Sequence, residues 1–124
     1  MTYTYAEARV GTNWTKEYRP LRDIAADIRR DIKAAQKSGH IPADVKVSVR
    51  CRDGLAIDVR LSGWSKDAVF FLNHEGWLRE TDEARIVSTR VEAIRQSYNR
   101  DASDPMVDYF DVTFYGSTSW IVPN

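Results

Sequence analysis

Apolar residues recur along this chain with two different periods, and the switches between them divide it into elements. Ile24, Ala25, Ile28, Ile32 and Ala35 follow Leu21 at helical spacing and form one stripe. Pro20 suits the first helical position, and Ser38-Gly39-His40 stops the helix, with Gly39 fitted to its end. After the linker Ile41-Pro42-Ala43-Asp44 the period drops to two. Val45, Val47 and Val49 alternate with Lys46, Ser48 and Arg50. Asp53-Gly54 marks a tight turn, and Leu55, Ile57, Val59 and Leu61 alternate with Ala56, Asp58 and Arg60 on the way back. The pattern predicts a β-hairpin with one apolar face for the helix to cover.

Residues 62–80 keep no period. Val69-Phe70-Phe71-Leu72 has strand composition, but Gly63, Asn73, His74 and Gly76 interrupt it, so this stretch reads as a long loop with a strand-like centre. Thr81 is an N-cap candidate, with Asp82 and Glu83 at the positive end of the helix dipole. Ala84, Val87, Val91, Ile94 and Tyr98 continue as a second helical stripe. Phe110, Val112 and Phe114 then alternate with Tyr109, Asp111, Thr113 and Tyr115 as a last strand, and the tail with Trp120, Ile121 and Val122 is a candidate edge segment. Residues 1–19 lack a period, and Tyr3, Tyr5, Val10, Trp14 and Tyr18 read as an arm whose aromatics dock on the body. The expected fold class is α+β: one domain over 1–124, with an arm at 1–19, a core at 20–116 and a tail at 117–124. Its order is α-β-β-(loop)-α-β, an antiparallel sheet of three to four strands with both helices packed on one face.

Composition narrows the chemistry. The 124 residues, 43% hydrophobic, suffice for one core. Eighteen basic and eighteen acidic residues cancel, which removes any global argument for a nucleic-acid partner and leaves only local patches. A single cysteine, Cys51, excludes an intrachain disulfide and points to a reducing compartment. No signal sequence and no apolar run of membrane-spanning length are visible, so a cytoplasmic protein without membrane partners is expected.

Three segments resemble a known family. The helix from Leu21 to Lys33, the hairpin of Val45 to Arg50 with Ala56 to Val59, and the closing stretch from Asn99 through Ser103-Asp104 and Asp108-Tyr109-Phe110 to Tyr115 are similar to one of the large polyvalent protein-associated domain families, the twenty-ninth of that series. The likeness covers roughly residues 20–116. The linker Ser38-Gly39-His40-Ile41-Pro42 and the 62–80 stretch depart from the family's pattern. The resemblance implies a small protein of phages, conjugative elements or actinobacteria that acts on host or defence components. It brings no catalytic residues with it.

Four constellations carry chemistry. Trp14, Trp64, Trp77 and Trp120 all lie outside the periodic elements, where aromatics either anchor partners or pin arm and tail to the body. In the partner-binding reading, Trp64 and Trp77 are anchors beside Tyr109, Asp104 and Asp108 supply a charged rim, and the partner is a host or defence-system protein; self-association through the same aromatics is an open alternative. Lys46, Arg50, Arg52 and Arg60 lie on or beside the outward face of the hairpin, either as a solvated surface or, with Tyr109 and Tyr115, as a single-stranded nucleic-acid surface. Asp101, Asp104, Asp108 and Asp111, with Ser103 and Asn99, either close the helix and turn or offer hard oxygen ligands, the basis for a metal-dependent enzyme as a further alternative. Their spacing matches no known metal motif. His40, His74 and Cys51 belong to no recognisable triad, and the glycines form no phosphate-binding sequence, so no catalytic residue and no cofactor is assigned.

Overall fold

The computed structural model describes residues 9–102 and 112–122. Helix α1 spans Leu21–Ser38, with Pro20 in the N-cap position and left-handed Gly39 closing it. The predicted stripe is the buried one, with Ile24, Ala25, Ile28 and Ile32 all 4% exposed or less. Strands β2 (Lys46–Arg52) and β3 (Ala56–Ser62) form the predicted antiparallel hairpin, preceded in the chain by a short strand β1 (Arg9–Val10). Val49 pairs with Val59 and Val47 with Leu61, so one face presents valines, Ile57 and Leu61 to the core. Leu55, expected to point inward, is exposed instead, because its amide closes the turn on the Arg52 carbonyl and places it in the bend.

The 62–80 stretch is an ordered unit rather than a long loop. A single helical turn α2 (Lys66–Val69), capped by Ser65, leads into β4 (Phe70–Leu72). A bend then returns the chain as β5 (Leu78–Glu80), antiparallel to β4 in a sheet of its own. The Asn73 side chain organises that bend by accepting from the Glu75 and Trp77 amides. Helix α3 (Asp82–Gln96) follows, with Thr81 as the expected N-cap: its hydroxyl accepts from the Ala84 amide and donates to the Ala68 carbonyl.

The fold is α+β, and its strand order differs from the expected one. The third strand of the main sheet is β7 (Thr118–Trp120), in what read as the tail, and it lies parallel to β3 in the order β2-β3-β7. A helix intervenes between β3 and β7, and such a crossover carries the chain back to re-enter in the same direction. The predicted last strand falls partly outside the described residues at 109–111, while Val112 and Tyr115 make single bridges to Asp101 and Ala56. Strand β6 (Arg100–Asp101) pairs with β1, so the arm is stitched to the end of α3. The Trp14 indole adds to this by donating to Thr113.

Helices α1 and α3 cover the same face of the β2-β3-β7 sheet. Arg29 on α1 donates to the Val49 carbonyl, and Trp120 on β7 donates to the Ala84 carbonyl of α3. An ionic cluster ties α3 to the sheet more firmly. Arg95, 2% exposed, clasps Glu92 with two hydrogen bonds of 2.5 and 2.8 Å and lies over the Phe114 ring, while Glu92 also accepts from Thr118. Burial opposes ionisation of Glu92, but the hydrogen bonds from Arg95, Thr118 and Gln96 outweigh it and hold the carboxyl below its ordinary range. Tyr98 joins the two helices by donating to Asp31; burial, followed by that hydrogen bond, pushes its phenol up to about 12.

Candidate functional site

Two surfaces stand out, one on each hairpin. On β4–β5 the pairing sets Leu72 opposite Leu78 on one side and Phe71 opposite Arg79 on the other. Phe70, at the root, packs against the core. Beyond it the hairpin has nothing to bury: Phe71 is 48% exposed, Leu72 68%, Trp77 62% and Leu78 43%. Apolar side chains therefore stand in water on both sides of the hairpin, and exposed aromatic and aliphatic groups gathered on one element are a mark of interaction surfaces.

A cleft of about 540 Å³ opens at the root of this hairpin. Its lining includes Trp64, the carboxylates Asp44, Asp67 and Glu83, and Thr81, and among the described residues that line it none is a cation. Trp64 is therefore not a free anchor of the expected kind. It is half-buried, stacks at 5.2 Å on Trp120 and donates to Asp44, because the loop after β3 folds its indole back onto the core. Trp77, by contrast, stands open to solvent.

The second surface is the outer face of the main sheet. Lys46, Arg50 and Arg52 on β2 and Arg60 on β3 share it, as their alternation predicts. Arg52 donates to Asp58 at 2.8 Å, and that bond above all holds the Asp58 carboxyl below its usual value; the Ser117 amide assists. Tyr115, bridged to Ala56, is half exposed on the same face.

The remaining candidates resolve unevenly. Asp104, Asp108 and Tyr109, with Ser103 and Asp111, lie outside the described residues. Asp101 belongs to β6. Asn99 is structural: 6% exposed, it bonds both the amide and the carbonyl of Phe114 and holds that ring in the core. Among the described residues no three acidic, histidine or cysteine side chains gather as a metal site would require. Cys51 and His74 are exposed, and the His40 carbonyl accepts from Arg90. Also among the described residues, no helix is long and apolar enough to cross a membrane.

Sequence reasoning missed two things: the buried Arg95–Glu92 clasp, and the apolar hairpin as a unit. The consecutive Phe70-Phe71-Leu72, matched by Trp77-Leu78 across a polar bend, was the available signal for the second. Compared with known proteins, the chain matches no family model, no curated protein and no solved structure, so the resemblance to a polyvalent protein-associated domain rests on the residues that carry it.

Proposed function

We propose that the chain is a non-catalytic binding protein whose β4–β5 hairpin inserts into a partner protein, in keeping with the host or defence-system target that the family resemblance implies. The single observation that carries this reading is the exposure of Phe71, Leu72, Trp77 and Leu78 on a hairpin that contributes only Phe70 to the core. A short two-stranded ribbon is marginal in water, and spending its side chains on solvent costs solubility without adding stability. A partner removes both costs. The cleft at the hairpin root narrows the partner's chemistry: a lining that combines Trp64 with Asp44, Asp67 and Glu83 suits a basic side chain placed beside an apolar surface.

The test is affinity capture from lysate followed by titration of the purified captured protein against wild type and Trp77→Ala. An exposed tryptophan at the centre of an interface carries about 2 kcal/mol or more, so a loss of roughly thirtyfold is expected with an unchanged circular dichroism spectrum. Equal affinity of the two proteins would overturn the reading. Concentration-dependent self-association removed by the same substitution would reassign the patch to a second copy of the chain.

A further inference from the structure

The outer face of the β2-β3-β7 sheet carries more order than a solvated surface needs. Registered across the strands, it falls into four rows. Arg52 lies opposite Ala56, which bridges to Tyr115; Arg50 lies opposite Asp58; Ser48 lies opposite Arg60, which pairs with Ser119; and Lys46 lies opposite Ser62. Each row holds one cation, and successive rows are separated by two strand residues, roughly 7 Å. The charges thus form a line along the strands about 20 Å long, with hydroxyls beside them and an exposed tyrosine at one end. Both long helices pack on the opposite face, while on this one Lys46, Arg50 and Arg60 are exposed and Ala56, at the Tyr115 end, is buried.

Local charge on the face departs from the neutral whole. Four cations meet one carboxylate, Asp58, which is occupied by Arg52 and the Ser117 amide. Asp53 in the turn also approaches Arg52, at 4.0 Å, and Asp44 at the other end is engaged by Trp64. The counter-charge is therefore concentrated on Arg52, with Asp58 acting on Arg60 only beyond ion-pair distance. Lys46, Arg50 and Arg60 remain exposed, and none makes an ion pair within 4 Å among the described residues.

We infer that this face is a track for a single-stranded nucleic acid, its phosphates running along Lys46, Arg60 and Arg50 and a base stacking on Tyr115. Evenly spaced point charges on a pleated surface match a polyanion with a regular repeat, and an aromatic ring accepts any base, so the expected recognition is sequence-tolerant. The track is separate from the apolar hairpin and independent of its partner.

Fluorescence anisotropy with a labelled oligothymidylate tests the track directly. Three phosphate contacts predict that log affinity falls with log salt at a slope of roughly −2. The variant Lys46→Ser/Arg50→Ser/Arg60→Ser should lose about tenfold or more at low salt while keeping its fold by circular dichroism. Asp58→Asn keeps an acceptor for the Ser117 amide but releases Arg52, so it should tighten binding several-fold and steepen the slope by about one contact. Trp77→Ala should bind the oligonucleotide as wild type does, which distinguishes failure here from failure of the hairpin reading. No salt-sensitive binding by the wild-type protein, or equal binding by the triple variant, would overturn the inference. Tighter binding to duplex than to the single strand would overturn the single-strand assignment.

Discussion

The two antiparallel hairpins of this protein use the same local device and arrive at opposite ends. In β2–β3 the side chains alternate until the turn end, where Cys51 is exposed and Ala56 buried, so one face gives Val49, Ile57, Val59 and Leu61 to the core and the other gives its charges to water. In β4–β5 each face carries exposed apolar side chains, Phe71 beside Arg79 on one and Leu72 with Leu78 on the other, and only Phe70 reaches the core. The first hairpin therefore derives its stability from the helices it supports. The second derives little from the body and leaves its greasiest residues outside. A strand pair with alternation holds a fold together, and one without it, on the reading proposed above, serves a partner. Both hairpins nonetheless present a face to solvent, and those two faces, one cationic and one apolar, are the molecule's candidate recognition surfaces.

That contrast can be broken by truncating leucine in each hairpin. Leu61 is fully buried against both helices' side of the sheet, so Leu61→Ala should destabilise the protein by about 3 kcal/mol in urea unfolding, a large share of a typical domain's stability. A loss under about 1 kcal/mol would mean that the core is not where β2–β3 places it.

A smaller effect separates the covered face of the main sheet from its open one. Glu92 lies on the covered side, with its folded-state carboxyl below the ordinary value of 4.5. A group with a depressed folded pKa contributes stability that is present above its unfolded value and lost as pH falls through the folded one. Stability should therefore decline below about pH 4.5, and Glu92→Gln should flatten that decline while costing about 1 kcal/mol near neutrality. Asp58 on the open face shifts in the same direction. Solvent screens its pair with the exposed Arg52, so Asp58→Asn should leave the acid limb nearly unchanged. An acid limb that follows Asp58 rather than Glu92 would reverse the assignment of which face the electrostatics stabilise.

The sequence made the first hairpin and both long helices legible because each has a period and an end signal: Pro20 and Gly39 for α1, Asp53-Gly54 for the turn, Thr81 for α3. The cationic residues of the open face followed from the same alternation. The β4–β5 hairpin was opaque because three-residue strands are too short to show a period, and because apolar residues on both faces erase the alternation that would announce a strand. Strand β7 was legible as an edge segment in the tail, but its parallel pairing with β3 was not. Its partner, β3, is almost sixty positions away, and Thr118-Ser119-Trp120 has no pattern until Trp120 meets Ala84 and Thr118 meets Glu92. Arg95 was hidden by its chemistry: an arginine on a helix reads as surface, and the Glu92 fork, the Ile57 carbonyl and the Phe114 ring make its burial tolerable. Trp64 looked like Trp77 in sequence, and the two parted company only when Trp120 supplied the first with a neighbour.

The finest test lies within the second hairpin itself. Leu72 and Leu78 are paired across β4 and β5, and both are exposed. The double substitution Leu72→Ser/Leu78→Ser should change global stability by no more than about 0.5 kcal/mol, because surface changes away from the core seldom exceed that. Local opening should respond more than global unfolding. The amide of Asn73, bonded to the Trp77 carbonyl, should exchange with solvent faster in the variant, while the Val59 amide, bonded to Ser117, keeps its protection. A drop in global stability matching that of Leu61→Ala would instead make β4–β5 part of the core, and its exposed side chains would lose their claim to be held for a partner.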